Sequence, residues 1–105
     1  APEDLPFVRR QRLLDRLAGR YAAYAGTIQA SVAARSWGLE LQFDFHPRGR
    51  SVPLVLLSHE PETGTTRFMA LGSGRPDLAE IVTRGDAREL KYERYALRWR
   101  GEDPR

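Results

Sequence analysis

The chain has no cysteine, one lysine, one methionine and two histidines in 105 residues, and no apolar run of bilayer length. Without cysteine there is no disulfide, no thiolate zinc site and no thiol nucleophile. With only His46 and His59, metal or acid–base chemistry has few candidates. No secretory signal or lipidation motif is visible, and no membrane span is expected. A first residue of alanine reads as a processed chain or a piece of a longer one. The cytoplasm is the favoured compartment, with an exported mature form as the alternative.

What is present is the composition of one globular domain, 41% hydrophobic and 30% charged. The net charge is +3 and the basic side is almost all arginine. Residues 1–36 hold six arginines and three acids, whereas 37–105 hold eleven basic and eleven acidic residues, so the excess lies in the first third.

That first third dominates the reading. Pro6 suits a first helical turn, with Glu3 and Asp4 ahead of it. Leu13, Leu14, Leu17, Tyr21, Tyr24, Ile28 and Val32 recur at spacings of three and four, which predicts an amphipathic helix over 6–36, or two helices meeting near Gly26. Such a helix would span about 45 Å. Arg9, Arg12, Arg16 and Arg20 fall along one side of it, a candidate surface for phosphates or an acidic partner. Gly19, Ala23, Gly26, Ala30 and Ala34 fall along another, and small residues in that pattern let a second helix approach.

Beyond it, Trp37, Leu39, Leu41, Phe43 and Phe45 alternate with polar residues, which predicts a half-buried strand. Val52 to Ser58, apolar at both parities, reads as a strand covered on both faces, and Thr65 to Leu71 as a third strand, joined by short turns into an antiparallel meander. Residues 76–84, opening on Pro76 and closing before Gly85, read as a short helix. Glu89 to Arg100 reads as a last strand whose parity break at Glu93-Arg94 predicts a bulge. Residues 101–105 read as a frayed tail. The expected class is therefore one α+β domain, a long N-terminal helix packed on a four-stranded, mainly antiparallel sheet.

No catalytic signature emerges. His46 and His59 end successive parts of the meander about 20 Å apart, at about 3.3 Å per residue, too far to share a proton or a metal. His59, Glu60 and Arg67 offer a remote reading as a metal-free ribonuclease, resting on single residues. Gly72-Ser73-Gly74-Arg75 lacks the glycine spacing and lysine of a phosphate loop. Trp37, Phe43, Phe45, Tyr95 and Trp99 fit core positions. Arg94, Arg98 and Arg100 are expected to pair with Glu40 and Asp44.

The functional expectation is a non-catalytic interaction or accessory module without cofactor or metal. It would self-associate, as a homodimer, or grip a protein partner through the helix at Gly19, Ala23, Gly26, Ala30 and Ala34. Nucleic acid bound by Arg9, Arg12, Arg16 and Arg20 is the alternative.

Overall fold

A computed structural model describes residues 6–23, 25–44, 51–71 and 77–101. The chain is one short helix followed by eight strands: α1 (Pro6–Leu17), β1 (Gly19–Ala23), β2 (Ile28–Arg35), β3 (Gly38–Phe43), β4 (Val52–Glu60), β5 (Thr65–Ala70), β6 (Asp77–Arg84), β7 (Ala87–Tyr92) and β8 (Tyr95–Gly101). Each strand pairs antiparallel with the next, and β8 returns to β1, closing the sheet into a barrel. The closing seam sets Tyr21 opposite Trp99 and Ala22 opposite Arg98, with a register shift between Arg20 and Tyr21.

This overturns the expected α+β class: the chain is mostly β, a closed eight-stranded antiparallel barrel with one short helix. The meander through β3, β4 and β5 is present, in the order expected. Three other segments differ, each for a physical reason. The helix stops at Leu17 because Gly19 takes φ +142°, where any Cβ would collide with the Gly101 carbonyl and the Trp99 ring. From there Gly19, Tyr21 and Ala23 face inward, then Ile28, Ala30, Val32 and Ala34. Alanines and glycines satisfy a period of two as readily as one of 3.6, so the stripe in 19–34 mimicked a helix. The turn between them holds Ala25 and Gly26 at positive φ.

The expected short helix at 76–84 is strand β6, with Ala79 and Ile81 buried and Leu78 exposed. The parity break near Glu93-Arg94 is a hairpin turn between β7 and β8, with Glu93 at φ 54°, and not a bulge in one strand. Trp37 sits exposed on the turn from β2 to β3 rather than in the core. Phe45, His46, the 72–75 turn and the tail at 102–105 lie outside the described residues.

Eight strands enclose an interior just wide enough for side chains to fill. Here Tyr21, Leu39, Leu41, Leu54, Phe68, Ile81, Leu90 and Leu97 fill it, with small Ala30, Ala70 and Ala79 offsetting the large rings. At the end where β1, β3, β5 and β7 begin, α1 lies across the mouth. It packs on β2, inserts Leu14 and Leu17, and donates an Arg10 hydrogen bond to the Trp37 carbonyl. Two barrel side chains satisfy its last carbonyls. The Tyr21 hydroxyl donates to Leu17 O at 2.6 Å, and Trp99 Nε1 donates to Ala18 O at 3.0 Å. Toward the opposite end, Phe43 stacks against Tyr92 with ring centroids 6.3 Å apart and meets Tyr95 in a tilted pair at 5.1 Å.

Replacing Leu14 by alanine therefore opens a cavity under the plug and should cost about 2–5 kcal/mol in denaturant unfolding. A loss under about 1 kcal/mol would mean that α1 adds little to the barrel. Burial raises the Tyr21 phenol pKa above its ordinary 10.0, with Arg88 opposing weakly. A raised value means the neutral phenol is the form that folds, so its contribution is complete below pH 10 and declines as pH climbs above it. Tyr21→Phe should flatten the alkaline fall in melting temperature while lowering stability at neutral pH through the lost bond to Leu17. Identical slopes for the two proteins would contradict this.

Candidate functional site

Strand alternation that fills the barrel also decides what its outer wall carries. On β2 and β3 the wall is polar and internally paired. Arg35 reaches Glu40 at 2.8 Å, and Arg20 reaches Asp44 at 2.6 Å while also donating to Ser31 and to Gln29. Hydrogen bonds from Ser51 and Arg35 hold the Glu40 carboxyl below its usual range. Glu40 and Asp44 are thus taken by Arg35 and Arg20, and not by Arg94, Arg98 or Arg100 as the pattern suggested.

Strands β4, β5 and β6 differ. Val55, Met69 and Leu78 stand side by side across three strands, with registers Val55–Met69 and Met69–Leu78. Leu57 lies in the register shift of β4, and Leu71 follows β5 with its N–H bonded to the Pro53 carbonyl. Leu57, Leu71 and Leu78 are 48%, 47% and 59% exposed, the most open large apolar side chains described. Single exposed leucines need no explanation, but a contiguous group of them on one wall does. Above it runs an ion-pair ladder in which Arg67 holds Glu60 at 2.7 Å and Glu80 at 3.1 Å. An apolar centre with a satisfied polar border is the anatomy of an interface core and its rim.

Two of the concave surfaces involve residues singled out in the sequence. One, of about 820 Å³, lies over β1 and the edge of β8, floored by Ala22, Ala23, Gly26 and Ala96 and bordered by Arg98 and Arg100. The other, of about 440 Å³, runs between α1 and β4, lined by Arg9, Arg10, Arg12, Leu13, Arg16, Leu56 and His59.

These positions relocate the residues singled out in the sequence. Of the small-residue set, Ala30 is buried inside the barrel and Gly19 is packed against Gly101 and Trp99. Ala34 packs on the core from within, and Ala23 does so while also lining the β1–β8 concavity with Gly26. They do not form a helix face, because the segment is a hairpin. Of the arginines, Arg9, Arg12 and Arg16 share α1, whereas Arg20 lies on β1 in its bridge to Asp44. Arg10, outside the three-and-four spacing, joins the groove through the way α1 docks. The apolar wall was missed altogether: Leu78 lay in a predicted helix, Val55 and Leu57 in a strand read as covered on both faces, and Met69 in a strand whose faces were not assigned.

His59, Glu60 and Arg67 do not converge as a ribonuclease site would require. His59 Nδ1 is 2.9 Å from the buried Thr66 hydroxyl, while Glu60 and Arg67 are bound to each other in the outer ladder. Among the described residues no group of three or more His, Asp or Glu is placed to hold a metal ion, and no helix is long and apolar enough to cross a membrane.

The Pab87 octamerisation domain family matches residues 2–98. Among solved structures, the chain is similar to the octameric penicillin-binding protein homologue from Pyrococcus abyssi, at 30% identity and a TM-score of 0.78. That similarity covers 91% of this chain and 21% of the archaeal one, so the chain spans about a fifth of that protein's length. No curated protein matches. The expectation of self-association stands, and the expectation of a dimer through a helix seam gives way to a family of octamerisation domains. The chain belongs to the Pab87 octamerisation domain family.

Proposed function

We propose that the barrel gathers eight copies of the polypeptide carrying it, and that the apolar wall of β4–β6 is its principal contact. The observation that carries this reading is the row Val55–Met69–Leu78, flanked by Leu57 and Leu71 and bordered by the Glu60–Arg67–Glu80 ladder. Burying such a row releases about 25 cal/mol for each square ångström of apolar surface. The ladder's charges are already paired within the chain, so a neighbour need not supply partners for them.

Placement around the barrel favours more than a pair. The apolar wall is centred on β5, and the concavity of Ala22, Ala23, Gly26 and Ala96 lies at β1–β8 on the far side. A contact between unlike surfaces on one molecule is head-to-tail, and such contacts continue until a ring closes; a single two-fold contact stops at two. We assign the concavity as the receiving surface, with the small residues Ala23 and Gly26 permitting close approach. No catalytic role is assigned to the barrel.

Sedimentation and light scattering on the native chain should give about eight times its 12.0 kDa mass. The double substitution Leu57→Glu, Leu78→Glu should reduce this to the monomer while moving chain stability by only about 0.5 kcal/mol per site, since both side chains are exposed. Ala96→Trp, which fills the concavity from an exposed position, should weaken assembly as well. A native chain that stays monomeric at every concentration, or an octamer indifferent to the leucine substitutions, would overturn the reading.

A further inference from the structure

The apolar wall and the concavity assigned to receive it share one order along the barrel. Odd-numbered strands begin at the end covered by α1, and even-numbered strands finish there. On the wall, Val55, Met69 and Leu78 therefore lie toward the far end, and Glu60, Arg67 and Glu80 lie nearer the helix. On the concavity, Ala23, Gly26 and Ala96 lie toward the far end. Arg98 and Arg100 follow Ala96 along β8 toward the helix. Each surface is apolar in its far half and charged in its helix half.

The charged halves also match in chemistry. Arg67 sets Nη1 on Glu60 Oε2 and Nε on Glu80 Oε2, so one guanidinium is divided between two carboxylates and the three side chains sum to −1. Glu60 and Glu80 stay 48% and 35% exposed, and a carboxylate offers about four acceptor sites, so each can take a further donor. Lys91 stands opposite Glu80 on β7, one strand beyond the wall. On the concavity, Arg98 and Arg100 are exposed, and Glu89 stands opposite Arg98. Their planar guanidinium forks fit carboxylates.

We propose that neighbouring copies dock with their barrel axes parallel and their α1 ends on one face of the ring. Arg98 and Arg100 of one copy then meet the Glu60–Arg67–Glu80 ladder of the next, while Val55, Met69 and Leu78 meet Ala23, Gly26 and Ala96. The inference rests on the β4–β6 wall being the assembly contact, and it adds the polarity of that contact. With the axes antiparallel, the two arginines would lie on the apolar row and the ladder on Ala23 and Gly26. Burying charge against apolar side chains is costly, and the parallel docking avoids it. Charge of this kind fixes register and partner more than it adds affinity.

The test uses two charge-reversed variants and their mixture. Glu60→Arg, Arg67→Glu, Glu80→Arg reverses the ladder but keeps it paired within the chain. Glu89→Arg, Arg98→Glu, Arg100→Glu does the same for the receiving side. Both should melt with the Leu57→Glu, Leu78→Glu monomer, since the changes are exposed or half-exposed. Alone, each should need at least about tenfold more protein than the native chain to assemble, because like charges meet at every contact. Mixed in equal amounts they should recover the native mass, and native mass spectrometry should find equal numbers of the two in each particle, since only alternation matches every contact. Variants that assemble alone as the native chain does, or a mixture that stays dissociated, would overturn the parallel docking. Either result, with the leucine variant still monomeric, removes the polarity and leaves the wall as the contact. A native chain that is monomeric at every concentration removes the wall itself.

Discussion

The return of β8 to β1 is the constraint on which the rest of the molecule depends. Eight short strands laid out flat would leave two unpaired edges and an apolar face open to water, whereas closure removes both at once. The seam that achieves it also fixes the helix. Trp99 lies opposite Tyr21 across the seam, and these two side chains donate the hydrogen bonds that finish α1 at Ala18 and Leu17. Gly19 makes the junction possible, since a side chain there would collide with Gly101 and Trp99. Barrel closure and helix capping are thus one local arrangement.

Closure also makes the outer wall legible. Once every inward position is accounted for by the packed interior, whatever remains outside is either paired, solvated or in need of a neighbour. On β2–β3 the charges are paired within the chain, and at β4–β6 the ladder on Arg67 is paired too. The leucines beside that ladder stay exposed, and the proposed function gives them a neighbouring copy to pack against.

The helix arginines are a different remainder. Arg9, Arg10, Arg12 and Arg16 line the groove between α1 and β4 together with Leu13, Leu56 and His59. The barrel therefore presents an apolar wall and, at its capped end, a groove lined by arginines of α1.

How much of this could be read in advance varies with the residue. Leu13, Leu14 and Leu17 announced their helix, and Leu39, Leu41 and Phe43 announced their strand, because each segment satisfies one period and fails the other. The absence of cysteine and the concentration of positive charge in the first third were fixed by composition alone. The hairpin at 19–35 was not legible, since alanine and glycine are compatible with either period. For β6, a proline and acids at its start imitated a helix opening. Arg10 entered the groove, and Leu78 joined Met69 and Val55, only through docking and register. A one-dimensional pattern says which residues share a face of one element; which faces look inward is decided when β8 meets β1, because inside and outside do not exist until the sheet closes.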